Sequence, residues 1–142
     1  MIYADTNILL ALFCADSLTA AAEAWFDKTA DPVSISPWTV LEFRSSVGVR
    51  VRKAQLPRAK GIAAIRHFEA AATTHLHVLA PAPEHFVRAG HWLADPDCAL
   101  RSGDALHLAI AFGHGCSEFV TFDQPLGAAA KKLKLNVKVL KW

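Results

Sequence analysis

The sequence predicts an α/β fold: one three-layer domain over residues 1–142, with a mostly parallel central sheet and helices on both of its faces. Three observations predict it. Short runs of β-forming residues alternate with helical segments along most of the chain. At 142 residues the chain is one domain, and a compact domain of about that length buries roughly 70% of the surface its unfolded chain exposes. The composition is 53% hydrophobic and 20% charged, with four Trp and eight Phe, which supplies a core and excludes a disordered chain.

Ile2-Tyr3-Ala4 opens the chain as a short apolar strand and meets a polar stop at Asp5-Thr6-Asn7. Ile8 to Cys14 reads as a buried helical segment. Asp16 or Ser17 supplies the N-cap of a helix through about Lys28, with Leu18, Ala21, Ala22, Trp25 and Phe26 on its apolar stripe. Val33-Ser34-Ile35 is the second strand. Ser36 followed by Pro37 then starts a helix, because proline's missing N–H falls where no helical bond is required. That helix carries Val40, Leu41 and Val47 and runs to about Arg52. Gln55-Leu56-Pro57 breaks the pattern before a further helix over about Arg58 to Ala72.

His75 to Leu79 reads as a strand closed by Ala80-Pro81-Ala82-Pro83, and Glu84 to Leu93 as a helix. After a turn at Asp95-Pro96-Asp97, Ser102 caps a strongly apolar helix, Gly103 to Phe112, that ends at Gly113 and Gly115. Glu118 to Phe122 is a strand with Asp123 at its end. Gln124-Pro125 leads into a helix through Lys132, and Val137 to Leu140 is the last strand.

Lys plus Arg number 15 and Asp plus Glu 13, so the formal net charge is +2 with the seven His neutral. That balance excludes a histone-like footprint and leaves room only for a local basic patch. Cys14, Cys98 and Cys116 are odd in number and widely spaced, which argues for reduced thiols in a cytosolic compartment. No basic and apolar leader opens the chain, and no apolar run approaches the ~20 residues that span a bilayer. A cytoplasmic protein with no membrane association is expected.

Right-handed crossovers bring the carboxyl ends of parallel strands to one edge, where such sheets carry their chemistry. Asp5 directly follows the first strand, Asp123 directly follows another, and Asp104 lies in the first turn of its helix. Glu42 lies only about 8 Å along its helix from Pro37, still near that edge. Four carboxylates from separate segments are therefore candidates for one cluster. Each has a plain structural reading beside it: a helix-dipole partner for Asp104, turn residues for Asp5 and Asp123, and for Glu42 an ion pair with a nearby Arg such as Arg44 or with a residue from another helix. If they converge, two such charges about 5 Å apart repel by roughly 3 kcal/mol at an effective dielectric near 20, and several pairs require a cation. No His or Cys stands in an obvious ligand spacing with them, and hard oxygen donors suit Mg²⁺ or Mn²⁺. Divalent ions held by carboxylates serve phosphodiester cleavage.

Asp5-Thr6-Asn7 after an N-terminal strand, Glu42 on the third helix, Arg101-Ser-Gly-Asp104-Ala-Leu-His-Leu-Ala and Thr121-Phe-Asp123-Gln-Pro-Leu together resemble the PIN domain, and within it the VapC-type toxins of toxin–antitoxin pairs. The order and spacing of these motifs carry the resemblance, which extends over essentially the whole chain. It implies a Mg²⁺- or Mn²⁺-dependent endoribonuclease whose acidic quartet is Asp5, Glu42, Asp104 and Asp123. Asp5 and Asp104 would hold the ion directly, Glu42 and Asp123 through water or a second ion, with Asn7 and Thr121 orienting carboxylates or water. Cleavage would leave a 5′-phosphate and a 3′-hydroxyl. A cognate antitoxin and a homodimer are also implied.

Among weaker signals, Arg101 and Arg44 are candidates for RNA phosphates, as are Arg50, Arg52 and Lys53, against a solvated helix face. Lys131, Lys132 and Lys134 read as a solvated helix end, and Asp95 and Asp97 as turn formers. His107 is expected to pack or lie at the surface, and His75-x-His77 to alternate on a strand. Trp25, Trp38 and Trp92 read as core or interface aromatics. No glycine-rich phosphate loop is present, which disfavours a dinucleotide or phosphotransfer domain. A non-catalytic RNA- or protein-binding module is the remaining alternative.

Overall fold

The computed structural model describes residues 1–142. Its elements, in chain order, are β1 (Ile2–Ala4), α1 (Thr6–Phe13), α2 (Thr19–Lys28), β2 (Val33–Ile35), α3 (Pro37–Arg52), α4 (Arg58–Thr74), β3 (His77–Val78), α5 (Pro83–Leu93), α6 (Ser102–Gly113), β4 (Glu118–Thr121), α7 (Gln124–Lys132) and β5 (Val137–Val139). The five strands form one sheet of order β3-β2-β1-β4-β5, and every pairing is parallel, as the alternation predicts. Register is set by pairs such as Tyr3 with Ser34 and Phe119, and Val120 with Lys138. The chain winds outward from β1 to β3, then returns to the other side of β1 as β4. The crevice at the carboxyl ends of β1 and β4 is therefore the switch point where sheets of this kind bind ligands.

Successive side chains of a strand point to opposite faces, so the sheet separates two cores. Ile2, Ala4 and Val120 face α1 to α4 and pack with Ile8, Leu9, Phe43, Val47 and Phe68. Tyr3 and Phe119 face α5 to α7 and pack with Leu108, Ile110 and Leu126. Tyr3 stacks on Phe119, with ring centroids 5.4 Å apart.

Several local boundaries differ from the sequence reading, each for a visible reason. α1 begins at Thr6, two residues earlier, because the Asp5 carboxylate accepts a hydrogen bond from Thr6 N at 2.7 Å and so caps the helix. Neither Asp16 nor Ser17 caps α2; Asp16 Oδ1 accepts from Leu18 N at 2.9 Å in a turn that precedes it. α3 starts and ends as predicted, with Thr39 Oγ1 accepting from Ser36 N at 3.1 Å in a capping box. α4 runs on to Thr74, so His75 is its C-cap and the strand shrinks to two residues. Ser102 is the first residue of α6 and Arg101 holds the cap position, its carbonyl accepting from Ala105 N. Asp95 and Asp97 do form the turn, Asp95 Oδ1 accepting from Asp97 N.

Leu41, placed on a helix core by sequence, is 57% exposed. Phe26 is exposed too, and with Leu9, Leu12, Phe13 and Leu76 it lines an apolar groove of about 460 Å³ over α1, α2 and α4. All three cysteines are free, and burial pushes the Cys14 and Cys116 thiols up, away from thiolate reactivity. No helix is long and apolar enough to cross a membrane.

One histidine on the second face carries a pH dependence. His85 is buried, its Nδ1 accepts from Ala82 N at 3.0 Å, and its ring packs against Gly113 so closely that no side chain fits there. Burial holds its pKa below the usual 6.5, helped by His114, whose ring lies 5.1 Å away. Glu84 pulls the other way and Arg88 adds to the depression. The unfolded chain therefore takes up a proton near pH 6.5 that the fold resists, so this contribution is present above that pH and is lost as pH falls further. Thermal melts from pH 7.5 to 5.5 are expected to show a falling Tm, with a shallower slope in His85→Gln, which keeps an acceptor at the third helical position. Equal slopes in the two proteins would count against the assignment.

Candidate active site

The site is built on the ends of β1 and β4. Asp5, 6% exposed, caps α1 with Oδ1, while its Oδ2 accepts from Asn7 Nδ2 at 2.8 Å and from Thr121 Oγ1 at 2.6 Å. Asn7 Nδ2 also donates to Thr121 Oγ1, and Asn7 Oδ1 accepts from Phe122 N. Asn7 and Thr121 thus tie the two strand ends together around one carboxylate. Asp123 N donates to Thr121 Oγ1 at 2.9 Å, and Asp123 Oδ1 accepts from Leu126 N, capping α7. Both caps place a carboxylate at a helix N-terminus, where the dipole favours negative charge.

α3 contributes from the neighbouring strand end. Trp38 packs toward the second core and Phe43 toward the first, so the helix straddles the sheet edge and Glu42 lies between. Glu42 Oε2 accepts from Thr6 Oγ1 at 2.6 Å and lies 2.6 Å from His107 Nε2. It does not pair with Arg44, whose Nε donates instead to Glu69 Oε1 on α4 at 2.6 Å. Arg44 is thereby committed to an exposed ion pair, and Arg50 pairs with Asp16. Arg101 is exposed at the start of α6, three residues before Asp104.

His107 departs most from expectation. It is fully buried, and its ligand atom and those of Asp5 and Glu42 lie within 4.8 Å of one another. The tightest grouping at the edge is therefore two carboxylates and an imidazole, with Asp104 and Asp123 beside it. A sequence signal for this existed: residues three apart on a helix share a face, so His107 follows wherever Asp104 points. His75 and His77 are exposed and contribute nothing here.

The charges are unevenly settled. Burial pushes the Asp5 carboxyl above its usual range, although the His107 charge and the Thr121 and Thr6 bonds act the other way. Burial also raises Asp104, and the charges of Asp5, Asp123 and Glu42 add to it. No hydrogen bond relieves Asp104; only the His107 charge opposes the rise. Glu42 is lowered in spite of its burial, because His107 and Thr6 hold its charged form. An oxygen-rich pocket in which the Asp104 carboxylate has no hydrogen-bond partner fits a hard divalent cation.

A family model described as PIN domain matches residues 2–132. No curated protein matches the chain. Among solved structures, the chain is similar to the Mycobacterium tuberculosis toxin VapC20, described as cleaving the sarcin-ricin loop: 20% identity, TM-score 0.75, 99% of this chain and 100% of that one. It is also similar to a chain of FitAB bound to a DNA fragment, at 19% identity and TM-score 0.73, covering 98% and 94% of the two chains. A third likeness is to VapBC-1 of nontypeable Haemophilus influenzae, at 19% identity and TM-score 0.64, covering 98% of each chain.

Proposed function

The chain belongs to the PIN domain family, and on that premise we propose that it is a Mg²⁺- or Mn²⁺-dependent endoribonuclease acting as the toxin of a toxin–antitoxin pair. The observation that carries this reading is the gathering of Asp5 and Glu42 with His107, and of Asp104 close enough to feel the charges of Asp5, Asp123 and Glu42, at the crevice where the strand order reverses. Asp5 and Asp104 would hold the ion directly, and Glu42 and Asp123 would act through water or a second ion. Asn7 and Thr121 orient the Asp5 carboxylate, and Arg101 meets an RNA phosphate. A divalent ion bound there makes water easier to deprotonate and neutralises charge on the leaving oxygen. The products are a 5′-phosphate and a 3′-hydroxyl.

The partners proposed are RNA, a second copy of the chain and an antitoxin. The similar solved structures include assemblies of toxin with antitoxin, which supports the last of these. A cytoplasmic location is part of the proposal.

The test is cleavage of RNA by the purified chain in Mg²⁺, in Mn²⁺ and in EDTA. Cleavage in either metal that EDTA removes supports the enzyme. RNA binding by a folded chain without cleavage in either metal leaves only a binding module.

Gly103 provides a finer test of the site geometry. A Cβ added there would lie 3.1 Å from Glu42 Oε1 and 3.4 Å from the Trp38 ring. The carboxylate cannot swing away freely, because Oε2 is held twice. Gly103→Ala is expected to change Tm little, because the helical preference for alanine, at most about 1 kcal/mol, is offset by contact with a carboxylate that cannot give. Cleavage is expected to fall about tenfold, because displacements of an ångström cost about a hundredfold. Wild-type cleavage by the variant would show that the position of Glu42 does not matter.

A further inference from the structure

We infer that His107 is a positioning residue of this site: it pins Glu42 by a single oxygen and so presents the other to the reacting groups. The inference rests on the nuclease reading above and adds to it a residue outside the acidic quartet.

His107 Nδ1 lies 2.9 Å from the Tyr3 hydroxyl. That hydroxyl also donates to Ser36 Oγ at 2.7 Å, so the rear of the ring is tied to β1 and to the start of α3. Thr39 Oγ1, 3.1 Å away, completes the hydroxyl's surroundings. The ring is also walled on three sides, by the edge of Tyr3 at 5.7 Å and by Trp38 and Phe119 at 6.4 Å. With no solvent exposure and Nδ1 held against the Tyr3 hydroxyl, the imidazole has one orientation, and Nε2 faces the site.

In front of the ring, His107 Nε2, Thr6 Oγ1 and Glu42 Oε2 form a closed triangle with sides of 2.6, 2.6 and 3.3 Å. Both partners converge on the same carboxylate oxygen. Glu42 Oε1 receives no hydrogen bond and lies over Gly103, at the start of the helix that bears Asp104. A glutamate on an exposed helix turn samples many rotamers, and this one is held to one. Its anchor runs through Tyr3 on β1 and through Ser36 and Thr39 at the start of α3, so the strand that positions Asp5 also positions Glu42.

Residues that orient ligating groups from behind typically change metal affinity or activity by about 10–100-fold when replaced. The experiment measures Mn²⁺ affinity by calorimetry, together with kcat, KM and Tm, for His107→Phe, His107→Gln, Tyr3→Phe and Asp104→Asn. His107→Phe is expected to lower Mn²⁺ affinity and kcat about 10–100-fold with little change in KM for RNA. His107→Gln, which keeps an amide donor toward Glu42, is expected to recover part of both losses. Tyr3→Phe, which removes only the support behind the ring, should fall between wild type and His107→Phe. If His107→Phe does not fold, the other two variants decide the matter by the same measurements. Wild-type Mn²⁺ affinity and kcat in folded His107→Gln and Tyr3→Phe overturn the inference. Asp104→Asn separates the two levels: if it also cleaves normally the nuclease reading falls, and if it alone is inactive only the role of His107 falls.

Discussion

Asp104→Asn is expected to abolish RNA cleavage, with a loss of about 10²–10⁴-fold in Mg²⁺ and in Mn²⁺, the span seen when a group acting directly on the transition state is removed. The asparagine fills the same space at the start of α6 but lacks the charge. Asp104 is the acid with least support from its surroundings: burial and the charges of Asp5, Asp123 and Glu42 raise its pKa, and no hydrogen bond holds its ionised form. A carboxyl raised in the fold costs stability once it ionises, a cost absent below its usual 3.8 and fully present above the raised value. At pH 7.5 and without metal, the inactive variant is therefore expected to melt above wild type. A divalent ion adds stability by mass action, about 2.7 kcal/mol at a hundred times its Kd. Mg²⁺ or Mn²⁺ should accordingly raise the wild-type Tm and raise that of Asp104→Asn much less. Asp5→Asn should share the loss of activity, although its amide must replace the Thr121 and Asn7 bonds that the carboxylate accepts. Undiminished cleavage by either variant would remove the mechanism.

Phe68→Ala is expected to cost about 3–5 kcal/mol of folding stability, measured as a lower denaturant midpoint at an unchanged m-value. Phe68 has no solvent exposure; its ring stacks on Phe43 at 4.2 Å and meets the edge of Phe13 at 5.6 Å. These three rings join α1, α3 and α4, so no single helix can close the space that the alanine leaves. Domains of this kind have only about 5–15 kcal/mol in total, so the variant loses a large fraction of its stability. Phe43 adjoins Glu42 in the chain, which couples this core to the site through α3. A loss below about 1 kcal/mol would mean that the first core collapses readily around the gap and is not anchored there.

Local chemistry explains which features were legible. Ser36-Pro37 identified the start of α3 because a cap depends on two adjacent residues and little else. The acids were legible because Asp5 and Asp123 stand at strand ends and Asp104 in a first helical turn, positions readable without long-range contacts. Ser102, Asp16 and Ser17 failed as caps where nearby backbone found other partners. The strand expected over His75 to Leu79 lost its first residues to α4, whose backbone bonds run on to His75 N.

The partner of Glu42 was of another kind. Arg44, two residues away, was the nearest cation in sequence, yet the residue that meets Glu42 stands 65 positions further on. Alternation of strands and helices was enough to imply the parallel sheet, its reactive edge and the acids along it, because periodicity and chain direction are properties of short segments. Whether those acids face a metal, an arginine or a histidine depends on how α3 crosses the sheet edge and how α6 packs on the far face. That crossing is set by the fit of two cores, which no short stretch of residues encodes, and it brings His107 to within 2.6 Å of Glu42.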